Sequence, residues 1–511
     1  MIQSQRKRVA VIGGGISGIA AAKVLKQQGV SAVIFEKDAA LGGVWADAYP
    51  DVRLQNIASQ YHLSDFPWPT KPDLHPSAAQ VREYLRQAVA HFALDVRLQH
   101  TVIHLTEQTD GWLVRHESPA GVHEERFDYV IVAVGQYSDR SHRPRFPGQQ
   151  HFRGTLITDA DVSSLDVFDG QRTVVVGFGK TALDMATWAA GRSARVHHVF
   201  RTPRWLLPER ILGVHFTFAL FNRLGTVMMP SWSHPTAVER FLHRRLGSAV
   251  SSFWRMVESI FRLQMMRHAV KGDSVAEKRL LTVLPQHQLV PDLRSATALA
   301  PERYYRYVAD GQITPHHGAV RGFTRTSVEL SNGDSIACDL VMMCVGSERP
   351  TFPFLPSQYR QLLEEEVGGP QLFRHLVHPR IPRLGFVGFN HGFMHVPIVE
   401  VGTLWLAALF RDELALPTVA EMDESIHHIR AWKRQHIHFE PASGSATSTR
   451  YQQYLDTLLK DLGISPYRKL PNVVAEVFAR YEARDYRDAS REYDRKRERR
   501  TRILRPIRVH M

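Results

Sequence analysis

Cysteine is nearly absent. Only Cys338 and Cys344 occur in 511 residues, both on what reads as one strand, so there is no disulfide framework, no zinc spacing and no redox CxxC. A reducing compartment, the cytoplasm, is the expected setting. Long apolar runs are missing too, and no stretch reaches the roughly 18–20 uncharged residues that span a bilayer. Ile211–Trp232 is broken by Asn222 and Arg223, and Val396–Phe410 by Glu400. Both read as buried helix or tunnel wall, with peripheral membrane contact left open for the first. Met1–Arg8 is polar and basic, and the apolar run Val9–Ile12 is only strand-sized, so no secretory leader is expected.

Acid is in short supply: 64 Lys and Arg stand against 51 Asp and Glu, a formal charge of +13. Much of the excess lies in the tail, at Arg491, Arg495, Lys496, Arg497, Arg499, Arg500, Arg502, Arg505 and Arg508. Acids interleave with its early part, so it reads as a solvated helix with a basic end, and no nucleic-acid partner is expected. The length exceeds one compact core, so two or more domains are expected. The 44% hydrophobic and 23% charged content is that of an ordinary globular chain.

Two segments repeat one architecture. Val9–Ile12 is a strand running into Gly13-Gly14-Gly15-Ile16-Ser17-Gly18, then a helix over Ile19–Gln28 and a second strand, Ser31–Phe35, ending at Glu36. Thr173–Val176 likewise feeds Gly177-Phe178-Gly179-Lys180-Thr181-Ala182, a helix over Leu183–Ala190 and a strand Val196–Phe200 ending at Arg201. Two more strands, Tyr129–Val134 and Leu340–Val345, follow Asp128 and Asp339, run into Gly135 and Gly346, and are expected to return the chain between domains. The fold class is α/β with two Rossmann-like dinucleotide-binding domains. The expected boundaries are 1–165 for the first part of an FAD domain and 166–325 for an NADPH domain with a helical insert at about 205–300. The second part of the FAD domain follows at 326–418, and a polar, basic helical extension at 419–511.

A GxGxxG string alone says little; its context gives it meaning. The first glycine makes the tight turn, the second lets backbone approach a pyrophosphate, and the third packs helix on strand. Gly13, Gly15 and Gly18 have the strand before, the helix after, and Glu36 about 20 residues on, where a carboxylate binds ribose hydroxyls. The second cradle, Gly177, Gly179 and Ala182, is the G-x-G-x-x-A variant. No acid closes its second strand; Arg201 and Arg204 stand there instead, which favours the 2′-phosphate of NADPH over NADH. Two cradles imply two dinucleotides, FAD and NADPH, and hydride transfer between them.

Further strings carry a family likeness. Leu41-Gly42-Gly43-Val44-Trp45 is like a GG-x-W element along a flavin. Leu54-Gln55-Asn56, followed by Ser64-Asp65-Phe66-Pro67-Trp68-Pro69, resembles an "LQ…SDFPWP" segment. Pro144 through Phe152-Arg153-Gly154 resembles a "P-x-x-P-G…F-x-G" linker, and Phe352-Pro353-Phe354-Leu355 and Pro397–Met422 also match. In these the chain resembles class B flavin monooxygenases, the flavin-containing and Baeyer–Villiger monooxygenases, over most of its length. It departs from their F-x-G-x-x-x-H fingerprint, with Thr158 at the histidine position and Val162 at the aromatic one that follows.

The resemblance implies an NADPH-dependent FAD monooxygenase. It would use a flavin C4a-(hydro)peroxide to insert one atom of O2 into a small organic substrate at nitrogen, sulfur or a ketone. Gln55, with Asn56 behind it, is the candidate active-site amide. Gly43, Trp45, Gly135 and Gly346 join the cofactor-binding set, and a homodimer is a family expectation. The degenerate fingerprint keeps two alternatives open: an NADPH oxidase releasing hydrogen peroxide, and a non-catalytic redox sensor. No metal site is expected. His391 and His395 flank Gly392 and have no third ligand, and His427, His428, His436 and His438 read as solvated. Glu400 is either a buried anchor or a substrate contact.

Overall fold

A computed structural model describes residues 7–136, 141–229, 235–270, 272–295, 298–301, 303–366, 368–390, 392–436, 447, 450–499 and 505–507. His391, His438, Arg500, Arg502 and Arg508 lie outside them.

Two five-stranded parallel sheets organise the chain. The first has the order Leu384–Phe386, Tyr129–Val132, Arg8–Ile12, Ser31–Phe35, Asp95–Arg97. The second runs Ile313–His317, Arg195–Phe200, Arg172–Val176, Leu340–Met343, Thr155–Thr158. Each is joined by an antiparallel three-stranded meander, Thr101–Phe127 in one unit and Val320–Ala337 in the other. The inner strands Arg8–Ile12, Tyr129–Val132 and Leu340–Met343 are short, mostly apolar runs buried on both faces, as inner strands of a parallel sheet are.

The repeat extends to single hydrogen bonds. Asp128 accepts the Arg8 N–H at 2.7 Å and Asp339 that of Arg172 at 3.1 Å, so each aspartate aligns the first residue of the neighbouring strand. Gly13 N–H reaches Phe35 O at 2.8 Å, and Gly177 N–H reaches Val199 O at 2.9 Å.

The expected boundaries at 165 and 325 both fall inside the span of the second sheet. Thr155–Thr158 is its edge strand and Leu340–Met343 lies next to its centre. The chain therefore crosses after Val132 and returns after Met343. A four-residue apolar strand does not encode which sheet it joins, so its own sequence could not place the crossing.

Between the sheet strands Arg195–Phe200 and Ile313–His317 lies the insert, dominated by the helices Ala237–Arg245, Gly247–Met266 and Ser274–Thr282. The C-terminal extension is less polar in its packing than in its composition. Helix Tyr451–Leu462 is almost wholly buried against helix His395–Phe410, because Tyr451, Tyr454, Leu455, Leu458, Leu459 and Leu462 recur at helical spacing. Arg223 and Glu239 of the insert form buried ion pairs with Asp456 and Arg450 of the extension. The tail helix Ala489–Glu498 is docked through Ala489 and Tyr493, whose hydroxyl donates to Glu413 at 2.7 Å.

Candidate functional site

In the first cradle, Gly13 has φ +114°, and a Cβ there would lie 2.5 Å from the Ala133 carbonyl oxygen. A Cβ on Gly18 would lie 1.9 Å from Gly13 O. Both positions exclude a side chain by contact alone. Helix Ile16–Gln27 starts on Gly15 with no side-chain cap, so its first-turn N–H groups are donors for an anion. Gly15 faces only the backbone of Gly43, 3.7 Å from the Cβ it lacks.

Glu36 is buried at the strand end. Its carboxylate accepts the N–H of Gly14 at 2.6 Å and of Asp38 at 2.9 Å. Burial pushes this carboxyl above its usual range, against the lowering by those two donors. Each carboxylate oxygen retains a further lone pair for a ribose hydroxyl. Trp45 is half-buried beside the cradle and donates its indole N–H to Tyr61 Oη at 3.1 Å.

The second cradle repeats this geometry. Gly177 has φ +125°, and a Cβ would lie 2.2 Å from Cys344 O. Gly179 starts helix Lys180–Ala190 without a side-chain cap, and nothing lies within 4 Å of where its Cβ would be. Ala182, fully buried, takes the third glycine's place. Gly135 and Gly346 close the matching strands with φ +85° and +90°. The residues present fit a dinucleotide pyrophosphate at each helix start.

Beyond Phe200 the two arginines part company. Arg201 is exposed. Arg204 donates to Asp292 Oδ1 at 3.1 Å, a fully buried carboxylate that also accepts the Trp205 N–H at 2.7 Å.

Sequence reasoning missed two residues that organise this region. His198, fully buried, donates Nε2–H to the Gly177 carbonyl at 2.6 Å and accepts the Tyr304 hydroxyl at Nδ1, at 2.8 Å. Its ring stacks on Phe178 at 5.5 Å. Burial lowers its pKa to about 4, so it is neutral. Tyr49 reaches from the first unit to the second cradle's helix, its hydroxyl donating to Asp184 Oδ2 at 3.1 Å. Asp184 is also ion-paired with Lys180. Both contacts join residues far apart in sequence, and neither string carries a local signal.

Both candidate amides hold backbone. Gln55 Oε1 accepts the Leu299 N–H at 2.9 Å, and Asn56 Nδ2 donates to the Phe393 carbonyl. The Phe393 ring also lines a small apolar pocket with Leu207, Leu220, Phe221, Met229 and Tyr451. At the fingerprint positions, Thr158 is buried and donates through N and Oγ1 to Asp161, at 2.8 and 2.9 Å, while Val162 sits in the core. The neighbouring Asp159 accepts the Ser141 hydroxyl at 3.1 Å. Glu400 is an anchor: it pairs with buried Lys23 at 2.8 Å and accepts the Ser64 N–H at 3.0 Å.

The profile of the family described as flavin-binding monooxygenase-like matches residues 6–299. The chain belongs to that family. A probable flavin-containing monooxygenase 1 of Arabidopsis thaliana is 26% identical, over 94% of this chain and 96% of the relative. Two solved structures share the fold. An S-allyl-L-cysteine S-oxygenase from Allium sativum has TM-score 0.61 at 19% identity, covering 97% of this chain and 94% of that one. A polycyclic ketone monooxygenase from Thermothelomyces thermophila has TM-score 0.66 at 12% identity, covering 88% and 87%. The flavin-binding monooxygenase described here is an NADPH-dependent enzyme with FAD and NADPH as cofactors, acting on an organic substrate and O2. No helix among the described residues is long and apolar enough to cross a membrane.

Proposed function

We propose that the cradle of Gly13, Gly15, Gly18 and Glu36 holds FAD, with Gly43 and Trp45 beside it. The cradle of Gly177, Gly179, Ala182 and Arg201 would hold NADPH, and the enzyme transfers one oxygen atom to an amine, sulfide or ketone. The observation that carries this reading is the contact of Tyr49 with Asp184, which joins the loop after Trp45, in the first unit, to the helix that starts uncapped on Gly179 in the second. When bound, the cofactors supply hydride transfer and oxygen activation.

The chain's residues bind, orient and exclude water. Glu36 takes the ribose, and the two helix starts take the pyrophosphates. Arg201 takes the 2′-phosphate, while Arg204 secures the strand end through Asp292. Gly135 and Gly346 keep the strand ends clear of side chains. Gln55 is the favoured amide: with its oxygen held by Leu299 N–H, its NH2 end is the donor, whereas Asn56 spends its NH2 on Phe393.

One observation supports a second reading. Thr158 is bound internally to Asp161 and Val162 is packed away, so neither faces a cofactor as the fingerprint histidine and aromatic would. An NADPH oxidase releasing hydrogen peroxide follows if that costs oxygen transfer. A panel of amines, sulfides and ketones under NADPH and O2 decides between them. Oxygenated product matching NADPH consumed supports transfer; peroxide matching NADPH with every substrate supports the oxidase.

A cytoplasmic setting belongs to the same proposal, supported by two free, buried cysteines. So do homodimerisation and peripheral membrane contact, for which Phe241, Met256 and Leu263 of the insert supply exposed apolar area, at 60%, 53% and 71%.

A further inference from the structure

We propose that His75, Glu209 and His215 bind a divalent transition-metal cation, zinc by ligand chemistry, which clips the helical insert to the flavin domain. The three come from different segments. His75 lies in the loop before helix Ala78–Phe92, while Glu209 precedes and His215 ends the Arg210–His215 hairpin of the insert. The Phe216 N–H donates to Glu209 O at 3.0 Å, so the hairpin brings the last two together. One ligand atom from each of the three lies within 4.8 Å of the others.

His75 is set up for a cation, and His215 needs only a shift of its ring proton. Nδ1 of His75 lies 3.0 Å from the Leu54 carbonyl. A carbonyl only accepts, so Nδ1 carries the proton and Nε2 presents its lone pair. Nδ1 of His215 lies 2.9 Å from Thr217 Oγ1 and also accepts the Thr217 N–H at 3.4 Å as the cap of helix Phe216–Leu220, so a metal on Nε2 would move the ring proton to Nδ1, where Thr217 Oγ1 can accept it. Neither Nε2 has a partner, and both are buried, His215 with 8% of its surface exposed. The rings lie 5.9 Å apart and 29° from parallel. An imidazole whose far nitrogen is held by a backbone carbonyl, as that of His75 is, has the usual orienting arrangement around a protein metal.

Two neutral imidazoles and one carboxylate suit zinc. With bonds of about 2.0–2.2 Å, tetrahedral ligand atoms stand about 3.3–3.6 Å apart, so the cluster closes by about an ångström through side-chain rotation. Exposed Glu209 gives the ion a way in and leaves a position for water. The nearby cations are already engaged: Arg480 donates to Thr217 Oγ1 at 3.2 Å and pairs with Glu482 at 2.5 Å, and Arg210 donates to Gly213 O at 3.2 Å. The clip would fix Leu54, hence Gln55 and Asn56. It stands independently of which substrate is oxygenated.

The test is equilibrium dialysis of the untagged, chelator-treated holoenzyme against zinc, with elemental analysis and thermal melting. The expected result is one zinc per chain and a higher Tm with zinc. Affinity in His75→Ala, His215→Ala and Glu209→Gln should fall by at least the about 10–100-fold that outer-shell changes cost. Less than one zinc per chain, or equal binding by wild type and Glu209→Gln, overturns the proposal. Glu209 is exposed, so its variant decides the matter even where a histidine variant does not fold.

Discussion

Lys23 Nζ lies 2.8 Å from Glu400 Oε1, with 3% and 6% of their side-chain surfaces exposed. The pair joins helix Ile16–Gln27, which starts at the first cradle, to helix His395–Phe410 near the other end of the chain. Burial acts to lower the lysine pKa, but Glu400 and Asp65 outweigh it and hold the ammonium charged. Removing Glu400 leaves the buried ammonium on Asp65 alone, 2.5 Å away, and leaves the Ser64 N–H without its acceptor. Glu400→Leu should cost on the order of 3 kcal/mol in urea unfolding, and Lys23→Met with Glu400→Leu less than the sum of the two singles. Additive effects would mean the contact carries no coupling.

Glycine contacts separate folding from binding. A Cβ at Gly18 meets Gly13 O at 1.9 Å, so Gly18→Ala should yield protein without FAD or no folded protein. Gly179 has φ −84° and open space ahead of it. Gly179→Ala should fold and keep FAD, while its KM for NADPH rises at least about tenfold, about 1.4 kcal/mol. An unchanged KM would remove NADPH from that cradle.

His198 gives a pH signature. Its folded pKa, about 4, lies below the 6.5 of a free imidazole because the ring is buried. A depressed histidine contributes stability that is complete above pH 6.5 and is lost as pH falls toward 4. That contribution is on the order of 3 kcal/mol. Chemical denaturation of wild type and His198→Leu between pH 7 and 4.5 should show a smaller acid-side slope in the variant, with weaker NADPH binding as Gly177 loses its support.

The two arginines should behave oppositely. Arg201→Ala should leave the melting temperature unchanged and narrow the preference for NADPH over NADH by at least about tenfold. Arg204→Ala strips a donor from buried Asp292 and should lower stability by about 1–3 kcal/mol.

How far the sequence was legible depended on distance along the chain. Each cradle is a local string in which strand, glycines and helix lie together, so Gly13 to Glu36 and Gly177 to Arg201 could be read in order. The charge that closes a cradle was read by type, but only the fold distinguishes exposed Arg201 from Arg204 on Asp292. Tyr49, His198, the anchoring role of Glu400 and the His75–Glu209–His215 cluster depend on contacts between distant segments. The crossing points were misplaced for the same reason: Leu340–Met343 reads like Tyr129–Val132, and only pairing tells the sheets apart.

In the proposed function two dinucleotides sit in two cradles and exchange a hydride. Anaerobic titration of the holoenzyme with NADPH, followed by flavin absorbance, tests it most directly. One FAD per chain should be bleached by one equivalent of NADPH and far less readily by NADH. Bound FAD that NADPH leaves oxidised would contradict it.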